Sequence, residues 1–202
     1  MRDQLLDALR RRHACHRFQT GREVSAEDLD YVLEAGRLAP SSFGLEQWRF
    51  VVLTREADKR ALQAVCFDQP QVGEAACDVV ILAKLAELHP DHPYVRRLLA
   101  RECPPQGLEQ ALANYRAFHA ATDVAAWSIT QCHIAAAHMM IAAAAIGIDS
   151  CPIGGFDPQA VAQLLGLPPG QYAVALILAL GYCAEPAGER QRLPLAELVE
   201  YR

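Results

Sequence analysis

The sequence predicts an α+β fold built as a single domain, and three observations lead there. Short apolar, β-branched runs at 49–54, 77–84 and 172–182 read as strands, and helix-period segments separate them. One of those segments, 123–148, is apolar on nearly every face. No internal repeat and no linker-like stretch divides the 202 residues, a length that one core can serve.

The elements follow in order. "DQLLDALRRR" sets Leu5, Leu6 and Leu9 at helical spacing. "SAEDLDYVLEAGRLAP" predicts a second helix, with Ser25 as N-cap, Asp28 three residues on, Leu29, Val32 and Leu33 as the buried face, and Pro40 as the stop. "RFVVLT" and "CDVVILAK" predict buried strands on either side of the helical "READKRALQAVC". Residues 86–106, with "HPDHP" and "PP", read as irregular, and "GLEQALANYRAFHAA" as a helix. After 123–148 come "SCPIGGFDPQAVAQLLGLPPG", a loop and then a helix capped by Asp157, and the strand "YAVALILALGY". The tail is polar and carries Arg190 and Arg192.

Segment 123–148 bears on assembly. A bilayer span needs about 20 apolar residues. The clean run here is shorter and contains His133 and His138, which read as packed or interface histidines. A helix apolar all round must be buried all round. At about 1.5 Å per residue it would run roughly 39 Å, more than a domain of this size covers. Burial against a second copy is therefore expected, with Ala143 and Ala144 as the positions where a charge would disrupt it.

Composition limits the function classes. The chain is 52% hydrophobic, 21% charged and carries a formal net charge of −5, which argues against disorder and against general nucleic-acid binding. The start lacks the n-region and h-region of a secretory leader. Seven scattered cysteines without a CxxC read as free thiols, so a cytoplasmic location is expected. There is no P-loop, no dinucleotide fingerprint and no GxSxG elbow. His133 and His138 are five apart, off the shared helical face a metal would need, and His89 and His92 read as a solvated loop. No metal site is expected.

What stands out is a basic knot in an acidic chain: Arg10, Arg11, Arg12 and Arg17 with His13 and His16 between them. Two further pieces follow at a distance. One is "APSSFGLEQWRFVVL" (39–53); the other is "GIDSCPIGGFD" (147–157) with "RQRLP" (190–194) beyond it.

In this order, from about Arg11 to Pro194, the pieces resemble the FMN-dependent nitroreductase family. The resemblance matches its Arg-rich helix exit to Arg12–Phe18, and its P-S/T-S-x-G/N turn to Pro40, Ser41, Ser42 and Gly44, with Trp48 after them. It matches the family's N-x-x-Q/K element to Asp68 and Gln71, its P-x-x-G-F-D to Pro152–Asp157, and its terminal K/R-x-R-L-P to Arg190–Pro194. Departures are Ala14 for the usual Ser, His16 for Arg or Lys, Glu46 and Gln47 in the Q-P-W position, and Asp68 for Asn.

The resemblance implies a nitroreductase-like α+β fold, with a mixed central sheet flanked by helices and a long buried helix at a homodimer interface. Arg12, Arg190 and Arg192 would hold the FMN phosphate, aided by His13, Ala14 and His16. Pro40, Ser41, Ser42 and Gly44 would come from the partner subunit. Gly154 and Gly155, after Pro152 and Ile153, would let a backbone N–H approach flavin N5. Gln71 would donate to the N1/C2=O edge and Asp68 would accept from N3–H. Residues 86–122 would be a mobile insertion over the active site, and Tyr115 or Phe118 would either wall the acceptor pocket or sit in the core. The implied activity is transfer of electrons from NAD(P)H through FMN to a nitro compound, quinone or similar acceptor by a ping-pong course, with no protein acid or base. Two alternatives stand beside it: a non-catalytic FMN-binding or flavin-sequestering protein, and a thiol reductase using Cys15 or Cys151, which the missing CxxC disfavours.

Overall fold

A computed structural model describes residues 2–202. Its centre is a four-stranded sheet in the order β1-β2-β4-β3, with β1 Trp48–Leu53, β2 Cys77–Lys84, β3 Asp149–Ile153 and β4 Tyr172–Gly181. All three ladders are antiparallel. The one parallel element is a single bridge, Ala14 to Ser150, by which the N-terminal segment extends the sheet beyond β3.

The helices are α1 Arg2–Arg11, α2 Ala26–Arg37, α3 Glu56–Val65, α4 Pro70–Glu74, α5 Pro93–Glu102, α6 Leu108–Ala120, α7 Val124–Ala145 and α8 Pro158–Leu164. Ser25 caps α2 by accepting from the Asp28 amide, and Asp157 caps α8 by accepting from Gln159 and Ala160. Asp123 does the same for α7 through Ala126.

Strand β2 is buried along nearly its whole length because both faces of the sheet are covered. Val79, Ile81 and Ala83 face α2 and α7. Val80 and Leu82 face the opposite way, toward α3, α4 and α8. The alternation is the period-2 rule of a strand. A third cluster joins Leu45, Leu88, Tyr94, Leu98 and Tyr115 to Trp127 at the start of α7.

Three expectations change here. Residues 86–106 contain α5, whose Tyr94, Val95, Leu98 and Leu99 are buried, so the prolines there start a helix instead of breaking order. The stretch after α7 opens with β3 and not with a loop. Pro152 is tolerated because β3 is the edge strand of the four. Gln71 lies in α4, where it is buried.

The third change concerns α7. Ala143 and Ala144 are buried inside their own chain, with Ala143 in the cluster against α2 and the sheet, so neither can report on a partner. Alanines let the helix sit close to its neighbours, and one chain therefore covers more of it than its apolarity suggested. The face of α7 left open carries His133, Ile134 and His138, which are exposed and not packed in the chain's own core. No helix among the described residues is long and apolar enough to cross a membrane.

Candidate functional site

The basic knot becomes a corner. Helix α1 ends in Arg10 and Arg11, cations suited to a helix C-terminus. The chain then lies along β3, with Cys15 N–H donating to the Ser150 carbonyl at 3.1 Å. The tail returns across the same place, and Arg190 Nε donates to the Arg10 carbonyl at 3.2 Å. Residues 10–14 and 187–192 line an open cavity of about 440 Å³.

Nine arginines are ion-paired with Asp or Glu. Among the described residues Arg12, Arg190 and Arg192 are not, and neither are Arg11 in the same cavity or Arg22, Arg49 and Arg97 elsewhere; what sets the cavity apart is that it gathers several such arginines, with Glu189 also in its lining. Burial, and then the charges of Arg190 and Arg192, hold the Arg12 guanidinium below its ordinary pKa. Three uncompensated forks facing one space repel one another, and an anion with several oxygens relieves that repulsion through paired N–H···O bonds.

The other predicted donors divide. His13 and Ala14 line the cavity. His16 is not in its lining, and its side chain is exposed.

A second group gathers at the C-terminal end of β3. Gln69 Nε2 donates to the Gly155 carbonyl at 2.6 Å and to the Cys66 carbonyl at 2.8 Å. Gln71 Nε2 donates to Gln69 Oε1 at 3.2 Å. Gly154 and Gly155 thus stand beside the 67–71 turn that carries Asp68 and Gln71. A Cβ on Gly155 would stand 3.3 Å from Gln69 Nε2, whereas one on Gly154 would meet nothing within 4 Å. Pro152 pairs with Leu178, and Ile153 is a core residue whose side chain packs inward, so only its backbone could serve a ligand. Gln69 escaped the sequence reading; its only signal was its place one residue before Pro70 in "FDQPQ".

The third group is elsewhere. Ser41, Ser42 and Gly44 form a tight turn before β1, with the Ser42 amide donating to Gln131 Oε1 at 2.9 Å and Ser41 Oγ accepting from Glu46 at 3.0 Å. Pro40 precedes it, exposed. Strand β1 is the edge opposite β3, and the turn lies at the end of the sheet away from Asp149 and Cys77. Within one chain the Ser turn and the basic corner are diagonal opposites, and the structure does not bring them together.

Backbone strain singles out the same two loops. The non-glycine residues with positive φ are Phe43 and Glu46 in the Ser turn, and Phe67 and Asp68 beside Gly155. Each such residue costs about 1–2 kcal/mol, and strain of this kind persists where surroundings enforce it. Phe43 packs on Tyr115, Phe118 and Trp127 with ring centroids 5.3, 5.1 and 6.3 Å away. Tyr115 is fully buried and donates to the Leu88 carbonyl at 2.6 Å, which resolves it as core; Phe118 is half-buried.

The reading of seven free thiols is also corrected. Cys15 and Cys183, 168 residues apart, are joined as a disulfide with Cα atoms 5.7 Å apart. Neighbouring bridges bring them together, Phe18 pairing with Cys183 as Ala14 pairs with Ser150. The other five cysteines are free and four of them are buried. Burial pushes the Cys151 thiol up to about 11, so it is no nucleophile at neutral pH.

With this geometry in hand, comparison with known proteins is informative. The family model named Nitroreductase family matches residues 9–182. A Staphylococcus haemolyticus protein named "Putative NAD(P)H nitroreductase" is 33% identical over 215 residues, covering 100% of this chain and 98% of its own. A Staphylococcus epidermidis protein with the same descriptive name is 36% identical over 200 residues, covering 92% and 90%. Among solved structures, a nitroreductase-like protein of Streptococcus mutans superposes with a TM-score of 0.87 at 21% identity, covering 100% and 99% of the two chains. An Exiguobacterium sibiricum structure determined in complex with FMN gives 0.84 at 20% identity, covering 98% and 97%. At such identities these two likenesses speak for the fold alone.

Proposed function

The chain belongs to the nitroreductase family, and from that premise we propose that it is an FMN-dependent oxidoreductase, passing electrons from NAD(P)H to a nitro compound, quinone or similar acceptor. One observation carries the cofactor assignment: Arg12, Arg190 and Arg192 share a cavity and none has an acidic partner. That is the donor set a phosphate monoester needs in a chain without a P-loop. Bound FMN would supply the electron chemistry.

The chain's own residues bind and orient. The three arginines anchor the phosphate, with His13 and Ala14 beside them. Strand β3 leads from that corner to Gly154 and Gly155, where the missing side chain at Gly154 leaves the backbone open to close approach. With FMN bound, Gln71 would donate to the edge of the ring system where negative charge develops, and Asp68 would accept from its imide N–H. Gln69 holds the Gly155 carbonyl and keeps the two loops in register.

Pro40, Ser41, Ser42 and Gly44 would serve the site of a second copy, since they lie at the opposite corner from their own chain's arginines. Exposed apolar residues support a homodimer: Leu5 and Leu6 of α1, Ile134 of α7, and Leu195, Leu198 and Tyr201 of the tail. Each chain should bury well over roughly 1,000 Å².

The test is spectroscopic and hydrodynamic. The purified protein should show flavin absorption, and NADH or NADPH should bleach it before any acceptor is added. Double-reciprocal plots at several acceptor concentrations should be parallel, because one open face cannot hold both substrates. Tight flavin binding without bleaching would instead favour a sequestering protein. A stable 22.2 kDa monomer that keeps stoichiometric FMN would overturn the shared site.

A further inference from the structure

Beside the phosphate cavity lies a second one, of about 380 Å³, lined by Arg10, Arg11, His13, Asp149, Cys183 and residues 184–187. It opens onto a group of which the flavin reading uses only His13. A ring nitrogen of His13 and the sulfurs of Cys15 and Cys183 all lie within 4.8 Å of one another. His13 Nδ1 is 3.2 Å from the Arg11 carbonyl, a contact that makes it the protonated nitrogen. Nε2 is then the lone-pair nitrogen, and it is buried with no hydrogen-bond partner among the described residues.

We propose that His13, Cys15 and Cys183 form a zinc(II) site that is available when the two cysteines are in the dithiol state. The donor set is two soft sulfurs and one imidazole, the chemistry that selects zinc over magnesium or calcium. The backbone carbonyl on Nδ1 is the usual outer partner of a ligating histidine, fixing tautomer and ring orientation. Asp149 adds to this shell: Oδ2 accepts from the Cys183 amide at 2.9 Å and Oδ1 lies 4.0 Å from His13 Nδ1. Three protein ligands leave one position toward the cavity, the open form of a zinc centre.

Arg10 and Arg11 oppose a cation here. Against them stand two thiolates and the Asp149 carboxylate, and Arg10 is already paired with Asp7. In the oxidised chain the same sulfurs form the disulfide, so the two states exclude each other. Passage between them is thiol–disulfide exchange with an external dithiol. Its thiolate attacks one sulfur, and its second thiol resolves the mixed disulfide. The reductant leaves as a disulfide, having supplied two electrons and two protons to Cys15 and Cys183. Zinc binding then displaces those two protons to solvent. Partial exposure of Cys183 at the cavity wall gives both reagents a way in.

The experiment compares oxidised with dithiol-reduced, desalted protein, using cobalt(II) as the probe. Tetrahedral cobalt with thiolate ligands absorbs in the red, where flavin does not. Reduced protein should take up one cobalt per chain, with bands that zinc removes, and oxidised protein should take up none. Cys183→Ser should abolish the bands, and His13→Ala should weaken binding by more than about tenfold. Absence of the bands in reduced protein, their persistence in Cys183→Ser, or a pair that no dithiol reduces under native conditions would each overturn the proposal. Should Cys183→Ser fail to fold, alkylation of the unaltered reduced protein decides. Zinc should protect Cys15 and Cys183 while leaving Cys103, distant in the α5–α6 turn, unaffected; equal labelling of the pair with and without zinc would sink the assignment.

Discussion

Two corners of the sheet are built on opposite principles. At the corner by Ala14 and Ser150, charged side chains from the two ends of the chain face a cavity with little apolar packing and without ion pairs for Arg12, Arg190 and Arg192. At the diagonal corner, Phe43, Tyr115, Phe118 and Trp127 interlock around the Ser turn, and the backbone polar groups there are satisfied internally. The first is held in a state that a ligand completes. The second is complete in itself and holds a strained loop in position. Damage to the two should therefore differ: at the first it appears in binding with stability kept, at the second it appears first in stability, and in binding only through the Ser turn that would serve a second copy.

The largest effect is expected at the aromatic corner. Tyr115→Ala removes a fully buried ring and should cost about 3–5 kcal/mol of stability. It also leaves the Leu88 carbonyl without its donor. Denaturant unfolding measures this, and a loss under about 1 kcal/mol would mean the corner relaxes freely. At the basic corner, Arg192→Ala should leave stability within about 0.5 kcal/mol, since the side chain is exposed and unpaired. Its FMN affinity should fall by about 1.5–3 kcal/mol, roughly ten- to a hundredfold. Unchanged affinity by titration would remove the tail from the phosphate site.

How much of this was legible differs between the corners as well. The basic corner could be read because charge is local information: an arginine cluster in an acidic chain stands out wherever the chain later puts it. The pairing of Cys15 with Cys183 could not, because 168 residues separate them and only the bridges beside β3 make them neighbours. Strand β3 was missed because five residues with a proline give too few alternations to register a period. Helix α7 was over-read: its alanines pack within the chain, so uniform apolarity reported close approach as much as a partner. The long elements, from β2 to α7, announced themselves because periodicity accumulates with length.

A buried carboxyl without a partner sharpens the comparison. Asp78 on β2 is fully buried and neither carboxylate oxygen has a partner among the described residues. Loss of hydration raises its pKa well above the carboxylate range, and Lys59 opposes this only weakly. Asp78 therefore favours its neutral form. The sign follows. With the folded pKa above the unfolded value of about 3.9, the contribution to stability is fully present below that value. It is lost as pH rises from there through the folded pKa, by at most about 1.4 kcal/mol per pH unit. Asp78→Asn should flatten this slope and be the more stable form at neutral pH. A variant that parallels the parent chain across the range would mean that Asp78 is charged and solvated in the native state.

The smallest effect bears on the strained loops, where strain and use can be told apart. Phe67 has φ of 56°, yet its ring is 68% exposed, so packing does not explain why the loop is bent. Phe43, with φ of 59°, differs because its ring is held by three others. Asparagine tolerates the left-handed region better than phenylalanine and, unlike glycine, adds little freedom to the unfolded chain. Phe67→Asn should therefore stabilise the chain by about 0.5–1 kcal/mol, while Phe43→Asn should destabilise it, because lost ring contacts outweigh relieved strain. If Phe67 is bent to serve the site beside Gly155, the stabilised Phe67→Asn variant should also bind FMN more weakly or turn over more slowly. Gains in stability and full activity together would reduce Phe67 to an exposed ring on a tight turn, and the functional claim would then rest on Gln69, Gln71 and Gly154 alone.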